Sequence, residues 1–385
     1  MAKKLVKTLG LPLSLIFALL LAGCSGGVST AANNTNNSPA TAPTVTLTVT
    51  PATISAGQSA ILSWASVNAT SVVIDQGIGT EPANGSINVS PNATVTYHAT
   101  AQGADGKATA AATVTVSGNP SGPAPLVQHV FIVMEENHGY ADVIGNASMP
   151  YLNQLAAGGG LATHYFANTH PSIGNYFELT TGQIISNDDT FSQTVTADNI
   201  VRELLTAGKT WKSYAENLPS PGYLGGDVYP YLRHHNPFTY FSDVANSSVE
   251  RANIVPFTQL SQDVAKNTMP MFSFIIPSAL DDAHDGSLQQ ADNWLKTNIA
   301  PLIANPVFQR EGLLIILFDE SEVTDIAFGG GHVAMVMVGP HVKAGFQSTN
   351  FYQHQSTLRM MLESLGAKQF PGDSASAPEM GEFFK

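Results

Sequence analysis

Cysteine is nearly absent: Cys24 is the single one in 385 residues, so no internal disulfide can brace the fold. Cations are scarce as well. Sixteen Lys and Arg stand against 29 Asp and Glu, a formal net charge of −13, and no basic run follows Lys7. Nucleic acid is therefore not expected as a partner, since a polyanion needs clustered cations to bind it. A phosphate-bearing substrate would depend instead on cations gathered locally in a cleft. Membrane-length apolar runs are also lacking. The stretch LPLSLIFALLLAG, preceded by Lys3, Lys4 and Lys7, is short for a span and has the length of a signal-peptide core. No internal repeat is apparent.

What is present begins with an address. Leu21-Ala22-Gly23-Cys24 resembles the lipobox of bacterial lipoproteins, which implies removal of residues 1–23, lipidation of Cys24 and anchoring of an exported protein to the cell envelope. Ser25 then favours the outer membrane in a Gram-negative cell. An exported chain without disulfides must rely on its core or on metal. Residues 24–43, rich in Ser, Thr, Ala, Asn and Pro, read as a disordered tether. Between 44 and 118, six or seven short alternating segments separated by turn signals such as Asn84-Gly85 and Asp105-Gly106 predict a small antiparallel immunoglobulin-like β-sandwich with Trp64 in its core. A spacer is its expected role, with a glycan- or partner-binding module as the alternative. Residues 119–125 form a Pro/Gly-rich linker.

From 126 to 385 the pattern alternates strands with amphipathic helices, which predicts an α/β domain with a mainly parallel sheet covered by helices. The runs VQHVFIVM and LLIILF are apolar throughout, as in strands buried on both faces, and each stops on acid: Glu135-Glu136-Asn137 and Asp319-Glu320. Ligands bind just past the carboxyl ends of such strands. Carboxylates crowded there at ~4 Å repel by about 4 kcal/mol per pair at an effective dielectric of ~20, which a bound cation or a proton relieves.

Three further segments join them. In Thr169-His170-Pro171-Ser172-Ile173-Gly174-Asn175-Tyr176, Pro171 is expected to start a helix and to leave Ser172 near its N-terminus, where backbone N–H groups favour an anion. Asp281-Asp282-Ala283-His284 follows the predicted strand MFSFIIP, and Gly329-Gly330-Gly331-His332 precedes VAMVMVG. Acids and imidazoles at the ends of three strands and before a fourth are a ligand set for a hard or borderline divalent ion.

In order, IVMEENHGYADVIG, THPSIGNYFELTTG, RHHNPFTYF, LDDAHDGS, LFDESE and GGGHVAMVMVGPHVKAG resemble the bacterial phosphoesterase family of secreted acid phosphatases and phospholipases C, within the alkaline phosphatase-like superfamily. The resemblance implies Ser172 as nucleophile, Asn175 on the phosphate, and Glu136, Asn137, Asp319 and Glu320 as metal ligands. Asp282, His284 and His332 fall where two-metal relatives hold a second ion. With one metal, they would join His170 and His235 in binding phosphoryl oxygens or delivering a proton. Glu320 stands where many superfamily members have His, which moves preference from zinc towards calcium or magnesium and leaves the ion open.

The expected reaction is attack of Ser172 on a phosphate ester, with one or two divalent ions and a phosphoserine intermediate. A monoesterase is favoured over a phospholipase C or other phosphodiesterase because no long extension follows Phe370. Tyr223, Tyr229, Tyr231, Phe238, Tyr240 and Phe241 serve equally as a leaving-group pocket or as core. A sulfatase is disfavoured, since Tyr176 stands where its motif requires Arg. A reading of another class is a non-catalytic envelope lipoprotein that binds glycans or partners.

Overall fold

The structure is a computed structural model that describes residues 42–55, 59–91, 94–117 and 122–385. The expected signal peptide, the expected lipidation site Cys24 and the expected tether up to residue 41 lie outside the described residues. Ala42–Lys385 form one compact unit that holds two hydrophobic clusters.

The smaller cluster lies between two sheets. One has the order β1 (Thr44–Thr50), β3 (Ala60–Val67), β6 (Gly85–Val89); the other runs β2 (Thr53–Ser55), β8 (Gly106–Ser117), β7 (Val95–Gly103), β4 (Ser71–Ile74), β5 (Gly79–Glu81). Alternation along β3 buries Leu62 and Trp64 on the inner face, where Leu47, Val72, Tyr97 and Val114 meet them. The Trp64 indole N–H donates to the Pro82 carbonyl at 2.9 Å, so its polar edge is satisfied inside the core. One feature departs from the antiparallel expectation. β2, only three residues long, pairs parallel with β8, a register that alternation alone does not specify.

The larger cluster surrounds an eight-stranded sheet of order β12 (Ile254–Pro256), β11 (Trp211–Ala215), β13 (Phe272–Ile276), β9 (His129–Glu135), β14 (Gly312–Phe318), β15 (Met335–Val338), β10 (Gly160–Ala162), β16 (Phe346–Ser348). The first five are mutually parallel, β15 alone runs against its neighbours, and β10 pairs parallel with β16. This is an α/β fold with a mainly parallel sheet, and the apolar runs of β9, β13 and β14 are its centre. β14 is buried at every position, as expected for a strand covered on both faces.

Helices cover the sheet, and three of their ends have local causes. The helix at Ile200–Thr206 is capped by Asn199, whose side chain accepts from the N–H groups of Val201 and Arg202. The segment from Leu288 forms two helices, Leu288–Asn298 and Ala300–Ile303, with Pro301 inside the first turn of the second. Pro171 is the cap of the helix Ser172–Thr181, so the helix starts on Ser172 itself. Tyr231, Phe238, Tyr240 and Phe241 are buried core, while Tyr229 is exposed.

Candidate active site

Three adjacent strands deliver the acids. Past the end of β9, the Glu136 N–H donates to the Asp282 carbonyl at 2.8 Å, which fixes the loop after β13 against it. On the other side, the Asp319 N–H donates to the Glu135 carbonyl at 3.0 Å and extends the β9–β14 ladder by one rung. Glu136 thus sits centrally, with Asp282 to one side and Asp319 and Glu320 to the other. All four are buried, as is Ser172.

Ser172 joins this group from the first residue of its helix. Its hydroxyl lies 3.2 Å from Glu136 Oε2 and 3.4 Å from Glu320 Oε1. Asn137, held in the left-handed region at φ 54°, donates from its backbone N–H to Asp319 Oδ1 at 3.2 Å and from its amide to Glu136 Oε2 at 3.2 Å. The expected ligands Glu136, Asn137, Asp319 and Glu320 therefore share one pocket with the expected nucleophile.

A tighter trio shares Glu136. Ligand-capable atoms of Glu136, His235 and Asp282 all lie within 4.8 Å of one another. His235 Nδ1 is 3.4 Å from Glu136 Oε1 and 3.5 Å from Asp282 Oδ2 without hydrogen-bond geometry. Asp282 Oδ2, Asp319 Oδ2 and His235 Nε2 are buried with no hydrogen-bond partner. Unpartnered carboxylate oxygens beside a buried imidazole are a donor set that fits a divalent cation, so this Glu-His-Asp group could hold a metal ion.

Electrostatics point the same way. Burial first, then the charges of Asp319 and Asp282, push the Glu136 carboxyl well above the usual range. Burial likewise raises Asp282 and Asp319, and burial with Asp319 and Asp189 pushes Glu320 up to about 9. Each of these shifts raises a carboxyl's affinity for a proton, which a bound cation would counter. Glu135, on the opposite strand face, is fully buried with both oxygens unpartnered and is raised by burial and by Asp282.

Several predicted residues stand differently from expectation. Burial drives His235 well below the usual imidazole range, helped by His234 and His284, so it is neutral and its place is among the possible ligands and not among cationic proton donors. His332 does not join Asp282. Its ring stacks between Tyr140 at 4.4 Å and Phe166 at 4.9 Å, and its Nε2 bonds the Thr163 carbonyl. His284 is exposed on the rim, paired with Asp285 at 2.9 Å, its ring 5.7 Å from that of His235. His170 lies 3.1 Å from Glu320 through Nδ1 and bonds the Asp325 carbonyl through Nε2.

Asn175 does not face an open pocket either. Its oxygen accepts from the N–H groups of Asn168 and Thr169, and its amide donates to the Thr169 carbonyl and to Glu320 Oε2. It thereby orders the segment before Ser172. The helix start is also met by a residue the sequence did not mark: Asp189 Oδ1 accepts from the Ile173 N–H at 3.2 Å. Gly174 permits this, since a Cβ there would overlap Asn187 and Thr169.

Tyr176, noted only in place of a sulfatase's Arg, and His354 also join the site. The Tyr176 hydroxyl donates to Glu136 Oε1, and its ring stacks on His235. Four residues after Ser172 on one helix, it lies on the same face, which was the available signal. His354 Nε2 bonds the Asp319 carbonyl at 2.6 Å, and the Tyr165 hydroxyl lies 3.1 Å from its Nδ1. No local pattern links His354 to Asp319, 35 residues earlier.

A probable acid phosphatase of Kluyveromyces lactis is 34% identical over 237 residues, 59% of this chain and 56% of its own length. The phosphatidylinositol-3-phosphatase of Mycobacterium tuberculosis is 34% identical over 247 residues, 62% of this chain and 77% of its own. An acid phosphatase of Aspergillus fumigatus is 30% identical over 291 residues, covering 70% and 63%. The chain thus spans less than two thirds of the length of the first and third. A solved alkaline phosphatase superfamily protein from Vibrio parahaemolyticus aligns over 67% of this chain and 72% of its own at 12% identity, with a TM-score of 0.49. The family model described as Phosphoesterase family matches residues 146–366, more than half of the sequence, and the chain belongs to that family.

Proposed function

We propose that this protein hydrolyses phosphate monoesters with a divalent cation bound at Glu136 and with Ser172 as the nucleophile. One observation carries the reading: a buried serine hydroxyl sits between Glu136 and Glu320, among carboxylates whose burial and mutual repulsion raise their proton affinity and which positive charge would relieve. Relatives named acid phosphatase support the monoester choice.

Glu136, Asn137, Asp319 and Glu320 would hold the ion beside Ser172, and Glu136, His235 and Asp282 form the second possible set, with Glu136 common to both. A bound cation there offsets the crowded negative charge and lowers the proton affinity of a nearby hydroxyl. The chain's residues supply the rest. The Ser172 oxygen attacks phosphorus as the ester oxygen leaves, and the hydroxyl proton passes to one of the carboxylates it already faces. His284, exposed at the rim beside Asp282, would protonate the departing alkoxide. Water then attacks the phosphoserine in the reverse sense, releasing phosphate and restoring the hydroxyl.

The test sets p-nitrophenyl phosphate beside bis(p-nitrophenyl) phosphate and a short-chain phosphatidylcholine, with and without chelator. Release from the monoester that falls on chelation and returns with an added divalent ion is the expected result. Faster turnover of either diester would replace the reading with a phosphodiesterase or phospholipase C. No turnover under any condition, with a retained metal or glycan, would favour a non-catalytic envelope protein.

A further inference from the structure

The loop that follows Glu320 holds two large aliphatic side chains out in water. Val323 is 76% exposed and Ile326 74% exposed, three residues apart, and the adjoining Phe328 is also exposed. The loop is braced and not loose. The Asp325 N–H bonds the Glu322 carbonyl at 2.8 Å, Asp325 carboxylate oxygens accept from the N–H groups of Ala327 and His332, and Gln353 donates to the Phe328 carbonyl. Phe328 packs on Phe166 at 4.5 Å and on Phe351 at 4.8 Å. It is also stitched to the cleft, because His170 bonds the Asp325 carbonyl at 2.9 Å and approaches Glu320 at 3.1 Å.

The opposite wall repeats the feature. Val228, Tyr229 and Leu280 are exposed, and the Ala279 N–H donates to the Pro230 carbonyl, which ties their two segments together beside Asp282. Since β9 lies between β13 and β14, the loops after β13 and β14 flank Glu136 from either side. Exposed aliphatic groups thus border both sides of one polar cleft, an arrangement that marks an interaction surface.

Charge selects the surface. No Lys or Arg occurs between Lys212 and Arg233, between Lys266 and Lys296, or between Arg310 and Lys343, whereas Asp227, Asp281, Asp285, Glu322 and Asp325 lie in those stretches. An anionic bilayer would be repelled by this rim. A zwitterionic one offers apolar chains to the aliphatic groups and outward ammonium groups to the acids.

We propose that residues 321–328, with the facing segment at Val228 and Tyr229, seat the cleft on a zwitterionic lipid surface, so that the ester it hydrolyses carries an apolar tail embedded there. The substrate half of this rests on the phosphoesterase reading; the docking half does not.

The test compares the full chain with its Val323→Ser/Ile326→Ser double variant, so that any contribution of the N-terminal segment is common to both. Co-sedimentation with phosphatidylcholine vesicles should fall in the variant, and exchange of part of the phosphatidylcholine for phosphatidylglycerol should weaken binding of the wild type. With phosphatidic acid dilute in phosphatidylcholine as substrate, kcat/KM should drop at least about tenfold in the variant, as loss of two buried aliphatic groups implies. Turnover of p-nitrophenyl phosphate should be unchanged, and Val323→Leu/Ile326→Leu should keep vesicle activity. Equal sedimentation of wild type and variant would overturn the proposal, and so would tighter binding to phosphatidylglycerol vesicles; a surface for a basic protein would give the first result. If neither protein turns over p-nitrophenyl phosphate, the phosphoesterase reading fails while sedimentation still decides the docking.

Discussion

Glu178 lies on the same helix as Ser172 but belongs to the core, and its burial makes a measurable demand on stability. It is nearly inaccessible, and its Oε1 has no hydrogen-bond partner. Burial, and then the charge of Asp373, push its carboxyl from 4.5 up to about 7. The folded protein therefore keeps this proton longer than the unfolded chain. Below about pH 4.5 both states are protonated and the group has no effect. Between about 4.5 and 7 the unfolded chain ionises first, so stability falls as pH rises, and above 7 the full penalty is present. A gap of about 2.5 pH units, at about 1.36 kcal/mol each, gives ~3 kcal/mol. Glu178→Gln is neutral in both states and removes that slope. Urea unfolding of wild type and variant at pH 4, 6 and 8, followed by the fluorescence of the buried Trp211 and Trp294, should show the variant gaining about 3 kcal/mol at pH 8 and little at pH 4. A difference that does not change with pH, or a variant less stable at pH 8, would refute the reasoning.

Other outcomes follow from particular contacts. Asp292, almost fully buried, caps the distant helix Pro150–Gly158 by accepting from the N–H groups of Tyr151 at 3.0 Å and Leu152 at 2.8 Å; Asp292→Ala should lower unfolding stability by about 1–3 kcal/mol. Tyr176→Phe removes a donor from Glu136 and should reduce kcat by about 10-fold or more while far-ultraviolet dichroism stays unchanged. Glu136→Gln weakens both possible ligand sets at once, so the purified variant should retain less divalent metal by mass spectrometry and turn over p-nitrophenyl phosphate more slowly.

The centre of the fold was legible because its strands are long and apolar. β9, β13 and β14 announce themselves by runs buried on both faces, and the acids that end two of them mark the carboxyl edge of the sheet. β10, β12 and β16 have three residues each, too few to show a period, so the sheet's edges were not visible. That β15 runs antiparallel could not be read from composition either, since its apolar residues fit both directions. At the site, the strand ends marked Glu136, Asn137, Asp319 and Glu320, and the family resemblance joined Ser172 to them. The partners that orient them are set by tertiary packing. Asp189 reaches the helix start across a close approach at Gly174, and His354 holds Asp319 from another helix. His332 looked like a ligand because it precedes a strand at the active edge, but a column of aromatic rings claims it instead.

The central claim is that the hydroxyl of residue 172 forms a bond to phosphorus. Acid quenching of the protein during turnover of p-nitrophenyl phosphate, followed by peptide mass spectrometry, should find a phosphoryl group on Ser172, and Ser172→Ala should lose both the adduct and at least ~10³-fold in rate, about 4 kcal/mol of barrier. An alanine variant that turns over like wild type, or a phosphoryl group trapped on another side chain, would contradict it.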